Sequence, residues 1–182
     1  MNSPLIKILA ISGSLRNRSS NSLLMRSMVE MAPRNANVTI YDELGLLPHF
    51  NPDLDGNDVP LEVNRWRNHL READGVFICT PEYAKGVPGT LKNALDWVVS
   101  SGEFYNKPVA IVSASPHPSG GEIAHASLLG TLSMMNAIVA EDCSLKVPLI
   151  TMKLSPDGSI IDEQTKFEAQ KLMDSLIRVS SK

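Results

Sequence analysis

Apolar runs that alternate with amphipathic segments constrain this chain more than any other feature. "LIKILAIS" (Leu5–Ser12), "NVTIYD" (Asn37–Asp42), "DGVFICT" (Asp74–Thr80) and "KPVAIVSAS" (Lys107–Ser115) read as strands, most of them nearly continuous in apolar residues. Ser20–Met31, Leu61–Arg71, Pro88–Val99, Gly121–Asn136 and Glu163–Val179 read as helices, the first with Leu23, Leu24, Met28 and Met31 at spacings of three and four. Pro88 suits the first turn of its helix. "AIVAED" (Ala137–Asp142) is expected to be the remaining short strand or its approach, and Glu43–Asp58 a loop. Strands that are apolar along their whole length are buried on both faces, and a βα alternation supplies the helices that bury them. Right-handed crossovers then favour an α/β, doubly wound, three-layer sandwich with a five-stranded parallel sheet.

The 182 residues suffice for one domain with a well-buried core, and 43% apolar with 20% charged residues is ordinary globular composition. No repeat or linker divides the chain, so a single domain over 1–182 is expected. A net charge of −3 offers no basic surface to nucleic acid or anionic membrane. The start, "MNSPLIKILAISGS", is too short and interrupted for a signal peptide, and no apolar run reaches membrane-spanning length. A cytoplasmic protein is expected. Cys79 and Cys143 stand far apart in no metal-ligand spacing, and Cys79 inside "VFIC" reads as a buried small hydrophobe.

In doubly wound sheets ligands bind beyond the carboxyl ends of the strands, where strand order reverses. Three loops should occupy that edge: Gly13–Asn21, Pro81–Pro88 and Ser115–Gly121. The first gathers Arg16, Arg18 and several serines and asparagines at the start of a helix, where cations oppose the helix dipole. It is neither a G-x-G-x-x-G nor a Walker A loop. Ser19 or Ser20 could cap the helix while the arginines face water. Capping needs one residue, however, and the cluster points instead to a bound anion that accepts hydroxyls, amides and backbone N–H groups and neutralises Arg16.

In the second loop Pro81 and Pro88 stiffen the turn, Gly86 and Gly89 permit close approach, and Tyr83 suits a planar ring or plain packing. The third loop, "SPHPSGG", holds His117 between prolines, where a solvent-exposed ring is the simpler reading than a proton donor. His49, His69 and His125 form no metal spacing. Asp42, Glu43, Asp53, Asp55 and Asp58 lack the register of a calcium loop.

"GSLRNRSSN" (Gly13–Asn21) resembles the G-S-L-R-x-x-S-x-N phosphate loop of the NADPH-dependent FMN reductases, and "PEYAKGVPGTLKNALDW" (Pro81–Trp97) is similar to that family's P-E-Y-N-x-S-x-P-G-x-L-K-N-A-[IL]-D-W. The likeness runs from about Leu5 to Pro148. It implies a flavodoxin-like fold and an NAD(P)H-dependent oxidoreductase that passes hydride through FMN to a quinone, flavin or similar small-molecule acceptor by a ping-pong scheme. It implies that Ser14, Leu15, Arg16, Ser19, Ser20 and Asn21 hold the FMN phosphate. Pro81, Glu82, Tyr83 and Ala84 would run beside the isoalloxazine, with Ser115 approaching from the third loop. Ala84 departs from the family's asparagine, and the third loop is richer in proline than in relatives. The flavin would carry the chemistry, so no catalytic triad or acid–base pair is needed. The family also implies a homodimer or homotetramer paired through Pro88–Val99. The apolar "ALDWVV" (Ala94–Val99) is expected to be buried between subunits, with Trp97 as an interface anchor or, equally, a plain core residue. The rivals are a flavodoxin-like electron carrier without NAD(P)H turnover and a flavin-free regulatory protein on the same fold.

Overall fold

A computed structural model describes residues 5–56 and 58–181. Residues 1–4, part of the stretch weighed as a leader, and Asn57 of the expected 43–58 loop lie outside the described residues. The elements follow the expected alternation: β1 (Ile6–Ser12), α1 (Ser20–Glu30), β2 (Ala36–Tyr41), α2 (Leu61–Glu72), β3 (Gly75–Thr80), α3 (Gly89–Asp96), β4 (Val109–Ser115), α4 (Glu122–Met134), β5 (Ser144–Pro148) and α5 (Glu163–Ser180). The strands form one parallel sheet in the order β2-β1-β3-β4-β5. This is the flavodoxin-like arrangement, and its order reverses between β1 and β3.

Alternation along each strand sorts the core into two layers. Leu9, Ile11, Val76, Ile78, Val109 and Ile111 face Trp66, Leu91, Trp97 and Leu128 from α2 to α4. Ile8, Ala10, Phe77, Ala110 and Val112 face Leu24, Met28, Leu172 and Leu176 from α1 and α5. Every residue of β3 is buried, as a central strand covered on both faces must be. Trp66 also donates its Nε1–H to Ala94 O at 2.8 Å, which joins α2 to α3 without leaving the indole unpaired.

Of the two readings of Ala137–Asp142, the second holds. Ala137–Asp142 is the approach to the last strand and not the strand itself. It makes one bridge, Ile138 to Pro108, then a short 3-10 turn at Glu141–Cys143, and pairing with β4 begins at Ser144. β5 is an edge strand with only one neighbour, so it reads as the alternation of "SLKVP" and lacks a solid apolar run.

Ala94–Val99 departs from the expectation of burial between subunits. α3 ends at Asp96, and Ala94, Leu95, Trp97 and Val98 are buried within their own chain, leaving only Val99 substantially exposed. Trp97 Nε1 donates to Pro48 O at 2.8 Å, and Asn93 Nδ2 donates to the same carbonyl at 2.9 Å while its Oδ1 accepts from Phe50 N at 2.7 Å. The "KNALDW" end of the motif therefore clamps the 43–58 loop onto the sheet layer. Removing either buried tryptophan should cost about 3–5 kcal/mol.

Candidate active site at the carboxyl edge of the sheet

All three singled-out loops emerge at the carboxyl ends of β1, β3 and β4, two of them at the switch point. Gly13 begins the first loop because nothing larger fits: an added Cβ would lie 2.8 Å from Thr80 Oγ1 and 3.0 Å from a Leu91 methyl. This contact brings the first and second loops together.

The first loop is folded by its own serines. Ser14 N donates to Ser12 Oγ at 3.3 Å, Arg16 N to Ser14 Oγ at 3.4 Å, and Ser12 Oγ lies 2.7 Å from Ser22 Oγ. Ser19 is the N-cap of α1, its extended backbone letting Oγ accept from Ser22 N at 3.4 Å. The capping reading thus holds for one serine, and the rest of the loop is left over. The backbone N–H groups of Leu15, Asn17, Arg18, Ser20 and Asn21 find no acceptor among the described residues. Arg16 and Arg18 are exposed and make no ion pair among them; Arg16 Nη2 reaches only Arg18 O at 3.4 Å. Unpaired N–H donors, a helix dipole and two guanidinium groups without an ion pair among the described residues are the donor set that a phosphoryl group requires. A cleft of about 330 Å³ lined by Ser14, Arg16, Asn17, Arg26 and Asp42 adjoins it on the β2 side, and another of about 360 Å³ lies between Arg16, Tyr83 and the start of α3.

Asn21 behaves differently from the expectation. Its side chain is buried, with Nδ2 donating to Ala114 O at 3.0 Å and Oδ1 accepting from Cys79 Sγ at 3.5 Å. It ties α1 to the two central strands, and what it can offer an anion is its backbone N–H. Burial with no compensating charge pushes the Cys79 thiol well above its ordinary pKa, in keeping with an inert packing group.

The second loop turns sharply. Tyr83 and Gly86 exchange both backbone hydrogen bonds at 3.0 Å, with Ala84 at φ 49° and Lys85 at φ 58° between them. Two successive left-handed residues define a primed turn, for which asparagine and glycine are the usual choices. Alanine at position 84 accepts this conformation at some cost, which gives the departure from asparagine a physical meaning. Pro81 is buried, and its carbonyl accepts from Thr80 Oγ1 at 3.0 Å. Tyr83 is 43% exposed, with Oη 3.1 Å from Ser14 Oγ. Glu82 turns away from the loop's open side: its Oε2 accepts from Ile123 N at 2.9 Å and Ala124 N at 3.1 Å.

In the third loop Ser115 Oγ accepts from His117 N at 3.1 Å, and His117 Nδ1 accepts from Ser119 N at 3.3 Å. The exposed His117 ring is engaged within its own turn and touches no group across the cleft. Beneath it lies a group the sequence did not single out. Ser113 Oγ donates to Gly120 O at 2.8 Å and sits 3.0 Å from His125 Nδ1, whose Nε2 is 2.8 Å from Ser144 Oγ. Since Ser113 spends its proton on Gly120, His125 carries its hydrogen on Nδ1 and accepts from Ser144. Burial, then the nearby Lys146, lower the His125 pKa to about 4, so the ring is neutral at pH 7. No sequence signal placed this network, because its three side chains stand on β4, α4 and β5.

No group of three or more potential metal ligands occurs among the described residues, and no described helix is long and apolar enough to cross a membrane. The sequence matches the family model for NADPH-dependent FMN reductases over residues 6–150. It is 31% identical over 172 residues to 2-hydroxy-1,4-benzoquinone reductase from Burkholderia sp, spanning 93% of each chain. It is 31% identical to the quinone reductase of Escherichia coli K12, spanning 88% of this chain and 87% of that one. Among solved structures it superposes on the flavoenzyme NAD(P)H:(acceptor) oxidoreductase FerB from Paracoccus denitrificans with a TM-score of 0.87 and 28% identity, covering 97% and 98% of the two chains. The chain belongs to the NADPH-dependent FMN reductase family. It is an oxidoreductase whose cofactors are FMN and NAD(P)H, and the donor set of the first loop suits the phosphoryl end of FMN.

Proposed function

We propose that the protein is an NAD(P)H-dependent reductase of quinones or similar planar acceptors, working in the cytoplasm as a homodimer or homotetramer. The observation that carries this reading is the unpaired donor set at the start of α1, beside an exposed tyrosine at the switch point. Ser14, Arg16, the backbone of Leu15–Asn21 and the capped end of α1 would hold the phosphate. Tyr83, the backbone of Pro81–Ala84 and Ser115 would lie beside the ring. Bound FMN supplies two-electron transfer, taking hydride from NAD(P)H and handing it to the acceptor. The chain's own part is to bind, orient and cover. The relatives named for quinone reduction support the acceptor class, and two buried free thiols suit a reducing compartment. Exposed Tyr83, Ile123, Leu149 and Met152 belong to or follow the loops at this edge and give a second subunit or an acceptor apolar surface to close over. An electron carrier that turns over no NAD(P)H is disfavoured by family membership and by the modest net charge of −3.

Loops stiffened by Pro81, Pro88, Pro116 and Pro118 leave one open face for donor and acceptor alike, so the two take turns. Anaerobic titration with NADPH and with NADH should bleach the flavin absorbance without acceptor, and a quinone added afterwards should restore it. Initial-rate lines at several fixed quinone concentrations should be parallel. Intersecting lines, or bleaching only when acceptor is present, would overturn this scheme.

A further inference from the structure

The third loop is fixed from two sides, and one of the fixings comes from the second loop. Helix α4 begins after Gly121, which sits at φ 78° and has no side chain with which to cap it. The vacant role is filled by Glu82, forty-one residues earlier in sequence, whose single oxygen accepts from Ile123 N and Ala124 N. A carboxylate is the favoured group at that end of a helix, both for the dipole and for the charge-assisted bonds. The contact is close: a Cβ added to Gly121 would lie 3.5 Å from Glu82 Cβ and 3.5 Å from Ser113 Cβ. From beneath, Ser113 holds Gly120 O, and a Cβ on Gly120 would come within 3.2 Å of Pro148 N. The Gly-Gly corner is therefore wedged between β4, β5 and the Glu82 carboxylate.

We propose that Glu82 is a positioning residue that sets the gap between the second and third loops, the slot in which the flavin ring and then the acceptor ring would sit, and that its carboxylate contacts neither. The inference rests on the functional reading above. It differs from a plain capping role because the cap is lent by one wall of the slot to the other. Loss of the carboxylate should free the walls from each other while the phosphate loop, built on β1 and α1, stays as it was.

Amide hydrogen exchange of the full chain, read by NMR without flavin, tests the latch directly. In Glu82→Ala the Ile123 and Ala124 amides should exchange about tenfold faster or more, the scale of one lost charge-assisted bond. Glu82→Gln, which keeps a carbonyl acceptor, should fall between. Unchanged exchange at Ile8–Ile11 would show that the release is local and the fold intact. The second readout is affinity: Glu82→Ala should weaken FMN and riboflavin by the same factor, since the phosphate contacts are untouched. Unchanged exchange at Ile123 and Ala124, or unchanged affinity for both flavins, would overturn the positioning role alone. Loss confined to FMN would overturn it too, by placing the effect at the phosphate. Failure of the wild-type protein to bind either flavin would overturn the functional reading and this inference together.

Discussion

Ser14 Oγ and Tyr83 Oη lie 3.1 Å apart, a hydrogen bond that spans sixty-nine residues of sequence and joins the first loop to the second. One residue belongs to the loop with the unpaired donors and the other presents an exposed ring. On the proposed function, this bond would help to set where the flavin ring lies relative to its phosphate. A hydrogen bond between neutral groups contributes about 0.5–1.5 kcal/mol.

Tyr83→Phe keeps the ring and removes only this tie. FMN affinity should fall by about two- to tenfold, the equivalent of that range, with the melting temperature little changed. Fluorescence titration of the apoprotein reads it. An affinity unaltered by the substitution would mean that the bond does not help to place the flavin.

Position 84 gives a prediction about stability. Alanine there holds a left-handed conformation at φ 49°, in a turn whose next residue is left-handed too. Asparagine tolerates this region better than alanine, so Ala84→Asn should stabilise the fold, by about 0.5–1 kcal/mol out of the 1–2 kcal/mol that the conformation costs. Urea denaturation should show a higher midpoint at unchanged slope. A lower midpoint would argue that the turn is favoured by something other than its backbone geometry.

His125 links stability to pH. Its pKa is lowered from the ordinary 6.5 to about 4 in the fold. Above 6.5 the ring is neutral both folded and unfolded, so it contributes no slope. Between 6.5 and about 4 the unfolded chain binds a proton that the folded chain refuses, and stability falls as pH falls. Below that the slope vanishes again. His125→Gln should flatten the stability profile within this window, by up to one proton, in denaturation measured at several pH values. A slope identical to wild type would show that His125 titrates alike in both states.

Much of this was legible in the sequence because the signals were local. Solid apolar runs marked β1, β3 and β4, and the spacing of Leu23, Leu24, Met28 and Met31 marked α1. β5 was harder, since an edge strand needs only alternate apolar residues and Ala137–Asp142 is the more apolar neighbour. At the site, residue types announced the first loop, but not which atoms were already spoken for. Asn21 and Glu82 look like ligands in sequence, yet both side chains are committed to partners more than forty residues away. Trp97 looked like an interface anchor for the same reason: its partner, Pro48, lies on a loop that no periodicity places beside it. Ser113, His125 and Ser144 come from three elements and form a network only once the sheet is assembled.

On the proposed function, the unpaired donors and the exposed Arg16 after β1 serve the phosphate of FMN. Riboflavin has the same ring and ribityl chain without that charge, so the pair of ligands isolates it. Binding of FMN and riboflavin to the wild-type apoprotein and to Arg16→Ala, measured side by side, tests that role. Loss of a charge-assisted contact is worth about 1.5–3 kcal/mol, so Arg16→Ala should weaken FMN by roughly ten- to a hundredfold and leave riboflavin nearly unchanged. Equal losses for the two ligands, or no loss for either, would contradict it.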